Sequence, residues 1–116
     1  MRQTGAVTIE YGDFERVDVR VGTITAVEDF PRARNPSYRL TVDFGPEIGQ
    51  RRSSAQVTSY TKEELEGMQV VAVVNFAPKN IAGFMSEALV LGVAGPDGEV
   101  VLLAPTREVP DGGRLH

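Results

Sequence analysis

The segment Val17-Asp-Val-Arg-Val-Gly-Thr-Ile-Thr-Ala-Val-Glu-Asp29 is the most informative about the fold, because its apolar residues change from odd to even positions part of the way along. Before Gly22 they stand at odd positions, which are Val17, Val19 and Val21. After Gly22 they stand at even positions, Ile24 and Ala26. A strand whose apolar face changes at a glycine is expected to contain a bulge or a sharp bend. Small barrels need such corners, so the stretch predicts the first strand of a small β-barrel.

A loop, a half-buried strand and a polar strand follow. Phe30–Pro36 contains two prolines and an asparagine, which oppose regular structure and predict a loop. Apolar and polar residues then alternate over Tyr38–Phe44, the pattern of a strand with one buried face. Gly45–Gly49 is expected to turn the chain, and Arg51–Val57 predicts a third, more polar strand.

A short helix precedes the last strands. Thr61 as N-cap and Glu64 three residues later form a capping box, and Gly67 is placed to end the helix. Three apolar runs rich in β-branched residues follow: Val70–Val74, Ala88–Val93 and Val100–Ala104. Near-continuous apolar runs predict strands that are covered on both faces. A barrel this small has one interior, so we hypothesise that the outer faces of these strands form a homodimer interface.

The order of the predicted elements is three strands, a short helix and two or three further strands. This is the layout of the OB-fold, a five-stranded barrel that here has its helix between the third and fourth strands. We therefore predict an all-β fold in one domain, residues 1–116. Its core is expected at about residues 14–104, after a short N-terminal extension that includes one helical turn at 11–16 and before a C-terminal extension at 105–116.

Composition argues against catalysis. The chain contains no cysteine, which removes disulfides, thiolate metal sites and thiol nucleophiles. Its single histidine is His116 at the C-terminus, so one chain cannot assemble a histidine-based triad or a multi-histidine zinc site. No apolar run approaches the roughly 20 residues that cross a bilayer, and Met1–Glu10 lacks the features of a signal peptide. We expect a cytoplasmic binding protein without catalytic residues, metal, cofactor or membrane insertion.

Positive charge is concentrated in one segment of a chain whose net charge is -4. Between Arg32 and Arg52 there are five arginines against only Asp43 and Glu47, a local net charge of +3. Arginine suits RNA because its planar group pairs with phosphates and stacks on bases. The alternative is a solvated loop with scattered charge. The candidate RNA-binding residues are Arg32, Arg34, Asn35, Arg39, Arg51, Arg52, Ser53 and Ser86.

A second group of candidates is apolar and lies between two strongly apolar strands. It consists of Phe76, Pro78, Lys79, Ile81, Phe84 and Met85. Aromatic residues and methionine on an adaptable loop suit a groove for unstructured apolar peptides. From the residues alone, the stronger interpretation is that these side chains cap the end of the barrel or fill the dimer contact.

Several short motifs occur in the order seen in the tRNA-binding-domain family, which the chain resembles over nearly its whole length, from Phe14 to Leu115. They are Asp18–Gly22, Arg52–Val57, Val73–Lys79 and Gly83–Glu87. Further likeness is to the CsaA group within that family, through Ser53–Gln56, Asn75-Phe76, Ile81–Phe84 and Val109–Gly113. The resemblance implies an OB-fold homodimer that binds tRNA.

For the CsaA group the resemblance also implies a cytoplasmic chaperone that binds unfolded preproteins awaiting export. A tRNA-binding protein without chaperone activity is the alternative. One dimer could offer both a charged face for RNA and an apolar groove for peptides.

Overall fold

Strand β1, Val19–Asp29, belongs to two sides of the barrel. The computed structural model describes residues 7–116 of the chain. The first half of β1 pairs antiparallel with β4, Gln69–Val73, and its second half pairs antiparallel with β2, Tyr38–Asp43. A single long strand therefore turns the corner between the two halves of the sheet.

The complete sheet has the strand order β3-β2-β1-β4-β7. Its outer members are β3, Gln50–Ala55, and β7, Leu89–Val90. Two hairpins stand beside it: β5 with β6, Lys79–Ile81 with Phe84–Ser86, and β8 with β9, Gly92–Ala94 with Val100–Leu102. The helices are α1, Tyr11–Glu15, α2, Gly45–Ile48, and α3, Lys62–Leu65. The predicted all-β OB-fold, with a short helix between β3 and β4, is confirmed.

The inner face of β1 does not change at Gly22, which corrects the sequence-based prediction. Gly22 pairs with Val70 of the barrel interior, and Ile24 is fully buried there. The register irregularity lies between Ile24 and Ala26, so Val27 takes the next core position. Apolar residues stand at both odd and even positions of β1 because the strand has apolar neighbours on both of its faces.

Gly22 is required for a different reason, the close approach of β2. A Cβ atom at this position would lie 2.7 Å from the Phe44 ring and from a Val42 methyl group, and 2.9 Å from the Asp43 carbonyl oxygen. Three neighbours at such distances leave no room for any side chain. Close packing of β1 against β2 thus requires a glycine at this position, whereas the predicted irregularity lies later, between Ile24 and Ala26.

Helix α3 closes one end of the barrel. The predicted capping box is present, since the Glu64 amide donates to Thr61 Oγ1 at 3.1 Å and the Thr61 amide donates to Glu64 Oε1 at 2.7 Å. Gly67 follows with a positive φ of 87°. This geometry holds Leu65 inside the barrel. The fully buried residues around it are Ile24, Leu40, Val42, Phe44 and Val70.

A second apolar cluster covers the outer face of the sheet. It is formed by Val19, Val71 and Val73, with Val21 and Leu91 packed against them. The register extends this face across the neighbouring strands, because Val73 pairs with Leu89 and Val93 pairs with Val101. We call this set the outer apolar face: Val19, Val21, Val71, Val73, Leu89, Leu91, Val93, Val101 and Leu103.

The last strands were predicted to be buried on both faces, and this is confirmed only for β4. Every residue of Val70–Val73 is buried. The predicted single strand at 88–93 is instead two short strands interrupted at Leu91, and its outer side chains are open to solvent. Val93 is 55% exposed and Leu89 is 48% exposed.

The C-terminal extension forms part of the sheet edge. The amide of Gly112 donates to the Val21 carbonyl at 2.7 Å, and the amide of Leu115 donates to the Val19 carbonyl at 2.9 Å. Arg20 donates to Asp18 at 2.6 Å and to the Gly112 carbonyl at 3.0 Å. The hydrogen bond with Asp18 raises the pKa of Arg20. The tail therefore occupies the edge of β1 that β2 leaves unpaired.

Within residues 7–116, no helix has the length and apolar character needed to cross a membrane. The prediction about a signal peptide concerned Met1–Glu10, and the first six of those residues lie outside the described part of the chain.

Candidate nucleic-acid interface

The predicted loop between β1 and β2 lies at the rim of the barrel. It follows Asp29, and its two arginines, Arg32 and Arg34, are exposed. Lys62 Nζ donates to Asp29 Oδ2 at 2.8 Å, and this hydrogen bond raises the pKa of Lys62. Helix α3 thereby contacts the start of the loop through an exposed ion pair.

Arginines from three elements meet at one surface cleft, which we call the arginine cleft. Arg32 comes from the loop, Arg39 from β2 and Arg52 from β3. The cleft has a volume of about 540 Å³. Its other walls include Phe30, Phe84, Met85 and Glu87. The fold brings together cations that are up to 20 positions apart in the sequence.

Two phenylalanine rings form the base of the arginine cleft. Phe30 and Phe84 are buried, and their rings meet edge to face with centroids 5.4 Å apart. The Arg52 guanidinium carbon lies 4.5 Å from the centre of the Phe84 ring, and that of Arg39 lies 5.6 Å from the centre of the Phe30 ring. At these distances each guanidinium group makes a cation–π contact with a ring.

Hydrogen bonds also help to hold the guanidinium groups of Arg39 and Arg52 in place. Arg39 Nε donates to the Asp29 carbonyl at 3.1 Å. Arg52 Nη2 lies 3.5 Å from Glu28 Oε1, an exposed ion pair of the kind that contributes little to stability. Arg39 and Arg52 are therefore positioned before any ligand arrives.

The barrel closes between β3 and the segment that follows β6. The Glu87 amide donates to the Arg52 carbonyl at 2.7 Å, and the Arg52 amide donates to Glu87 Oε1 at 3.0 Å. Ser53 is buried and donates to the Ala88 carbonyl at 2.8 Å, while Ser86 Oγ accepts from the Ser54 amide at 3.1 Å. Both predicted RNA-binding serines thus bond within the protein, and we leave Ser53 out of the proposed interface.

The remaining candidates for RNA binding lie apart from the arginine cleft. Arg34 lines a neighbouring depression on the other side of the loop, and Asn35 is exposed on the loop. Arg51 is half-buried and donates to the Val74 carbonyl at 3.2 Å. The eight predicted residues therefore do not form one continuous site.

The predicted peptide-binding residues divide between two clefts. Phe84 and Met85 line the arginine cleft. Phe76, Lys79 and Ile81 line a second cleft of about 480 Å³, the apolar cleft, together with Ser86 and Leu89. Pro78 is exposed in the segment between Phe76 and Lys79. Glu87 lines both clefts, so one short segment of chain separates them.

Sequence reasoning missed Phe30. Phe30 directly precedes the arginine loop, and an aromatic residue at that place was an available signal. Glu87 belongs to the motif Gly83–Glu87, but its contact with Arg52 could not be read from the sequence, because it depends on β3 lying beside it. Among residues 7–116, no group of three or more histidine, aspartate or glutamate side chains is arranged to hold a metal ion.

An antiparallel five-stranded barrel with a cationic cleft on its surface places the molecule in the OB-fold class, whose members commonly bind nucleic acids. The chain belongs to the tRNA-binding-domain family, since the family model described as "Putative tRNA binding domain" matches residues 19–114.

Solved structures of two chaperones show the same fold over nearly the whole of this chain. The CsaA chaperone protein from Picrophilus torridus is 49% identical with a TM-score of 0.89, and the match covers 94% of this chain and 100% of that one. The chaperone CsaA from Bacillus anthracis is 50% identical with a TM-score of 0.88, covering 95% and 100%.

Methionine–tRNA ligases contain a similar segment. The ligase of Archaeoglobus fulgidus is 36% identical over 115 residues, which is 99% of this chain. The chain spans only 17% of the length of that ligase. The likeness concerns this one domain and not the rest of the ligase.

Proposed function

We propose that this chain is a non-catalytic binding protein that binds tRNA through the arginine cleft. The observation that carries the proposal is the convergence of Arg32, Arg39 and Arg52 on one cleft backed by aromatic rings. Membership of the tRNA-binding-domain family supports it. Guanidinium groups pair with phosphates and stack on bases, both of which RNA offers.

Removing positive charge from the loop should weaken tRNA binding. We expect the Arg32→Ala, Arg34→Ala double variant to bind total tRNA about tenfold more weakly, because up to two phosphate contacts are lost. The slope of log affinity against log salt should become shallower by about 1 to 2. Filter binding at several salt concentrations measures both quantities.

Arg107→Ala is the matched control, since Arg107 is an exposed arginine on the C-terminal extension. It removes one charge without touching the cleft and should bind tRNA as the unaltered chain does. An unchanged affinity and slope in the double variant would exclude this loop from the interface.

A second candidate function is the binding of unfolded preproteins in the apolar cleft, in the cytoplasm before export. The specific observation is Phe76, which is 57% exposed at that cleft beside Ile81. An exposed aromatic ring beside aliphatic side chains suits an extended apolar peptide. The similarity to chaperones named CsaA supports the proposal.

Phe76→Ala should reduce binding of a fluorescently labelled, unfolded preprotein segment by about tenfold, because the exposed ring would be a main apolar contact. Fluorescence titration measures the change. Phe84→Ala is a poor probe because Phe84 is buried and its loss would disturb the barrel. Tyr11→Ala is the control, since Tyr11 is exposed on α1. Equal binding by both variants, with tRNA binding intact, would favour a tRNA-binding protein without chaperone activity.

The proposed assembly is a homodimer joined through the outer apolar face. Val93 and Val101 pair across β8 and β9 with exposed side chains, and the exposed Leu89 and Leu103 share that face. A continuous exposed apolar surface of this kind on a small domain usually contacts another protein surface. A second copy is the occupant we propose, because the face then becomes buried on both chains by one symmetric contact.

A further inference from the structure

Arg52 is held in an unusual position in the arginine cleft. Its guanidinium carbon lies over the Phe84 ring, 4.5 Å from the ring centre, while its side chain remains 48% exposed and lines the cleft. Glu28 approaches one nitrogen of the group, with Nη2 and Oε1 3.5 Å apart. A ligand in the cleft would therefore reach the guanidinium group from the side away from the Phe84 ring.

The two phenylalanine rings cannot serve as stacking platforms themselves. Phe30 and Phe84 are only 6% and 7% exposed, and they pack against each other and against the arginines. In many OB-folds, bases stack directly on aromatic side chains. Here the flat surface that the cleft offers is a guanidinium group supported from behind by a ring.

We infer that the arginine cleft takes an unpaired RNA base, which stacks on the Arg52 guanidinium group from the side away from the Phe84 ring. This inference rests on the proposed tRNA binding and names the part of the RNA that the site takes. A base inside a duplex is covered by its neighbours on both faces and cannot reach a guanidinium plane in this way. The cleft should therefore select single-stranded segments, loops or ends.

The test compares three RNA probes at one salt concentration. The first two, with equal numbers of phosphates, are a single-stranded nonamer of mixed sequence and the same strand with abasic sites at its central positions. The third is the nonamer annealed to its complement, which has twice as many phosphates, so its affinity is expressed per strand. We expect the single-stranded nonamer to bind about tenfold more tightly than either of the others, the effect of stacking roughly one base.

Arg52→Lys separates stacking from charge. Lysine keeps the positive charge but lacks the planar group, so we expect the variant to lose the tenfold preference for intact bases while its salt slope stays unchanged. Arg107→Lys is the matched control, because Arg107 is an exposed arginine on the C-terminal extension, outside the arginine cleft. That variant should keep the preference.

The abasic probe keeps the test independent of the folding of any variant. Equal binding of the intact and abasic strands by the unaltered chain would overturn the stacking inference, and so would an Arg52→Lys protein that retains the preference. A chain that binds tRNA but shows no base preference refutes this inference alone. A chain that binds no tRNA refutes the proposed function as well.

Discussion

Gly22→Ala should lower the free energy of unfolding by about 2–3 kcal/mol, a typical cost of inserting a methyl group into a closely packed interior. The new Cβ would lie 2.7 Å from the Phe44 ring and 2.9 Å from the Asp43 carbonyl oxygen. A ring can shift by a few tenths of an ångström, but the carbonyl belongs to the backbone where β2 pairs with β1. The strain must therefore spread into the strand pairing. Urea unfolding followed by circular dichroism measures the change.

Gly12→Ala provides the matched control for this variant. Gly12 lies in α1, and an added Cβ there would meet no atom within 4 Å. Alanine is favoured over glycine in helices, so the variant should be as stable as the unaltered chain or slightly more stable. Equal unfolding midpoints for the two variants would show that the corner at Gly22 can relax and that the close approach is not needed.

The Val93→Asp, Val101→Asp double variant should convert a dimer into a monomer. The two valines face the same side of the β8–β9 hairpin, so the substitution puts four carboxylates into a symmetric apolar contact. Burying unpaired charge costs several kcal/mol for each group, which corresponds to more than a hundredfold in the dissociation constant. Sedimentation equilibrium at micromolar concentration should give about twice 12.6 kDa for the unaltered chain and 12.6 kDa for the variant.

Met85→Asp is the control for the dimer experiment. Met85 is 48% exposed in the arginine cleft and lies outside the outer apolar face. The substitution adds one carboxylate per chain, half as many as the double variant, at a similarly exposed apolar residue and should leave the sedimentation unchanged. A mass of 12.6 kDa for the unaltered chain would refute the homodimer and leave the outer face to a different partner.

The Gly22→Ala variant and the Val93→Asp, Val101→Asp variant both alter faces of β-strands that the sequence pattern described incompletely. The two parities of apolar residues in β1 suggested a flip at Gly22, whereas both faces of the strand are apolar and the flip occurs after Ile24. Periodicity records which positions are apolar. It cannot distinguish a strand that changes face from one that is covered on both sides.

Secondary-structure elements that depend only on neighbouring residues could be predicted from the sequence alone. The alternation over Tyr38–Phe44 gave a half-buried strand, and Thr61 with Glu64 gave a capped helix, because neighbouring residues decide these features. The absence of cysteine and the terminal position of His116 likewise needed no structure. The order of these elements was enough to define the OB-fold.

Which candidate side chains lie together, and which of them are buried, depends on the tertiary structure. Closure of the barrel brings Arg52 and Ser53 beside Glu87 and Ala88, 35 positions away, and that closure buries Ser53 while it leaves Arg52 open on the Phe84 ring. Adjacent residues of a strand point to opposite faces, so one can be buried and the other exposed although they share the same sequence context. Which face meets a partner strand depends on the register between distant segments, and no local pattern specifies that register.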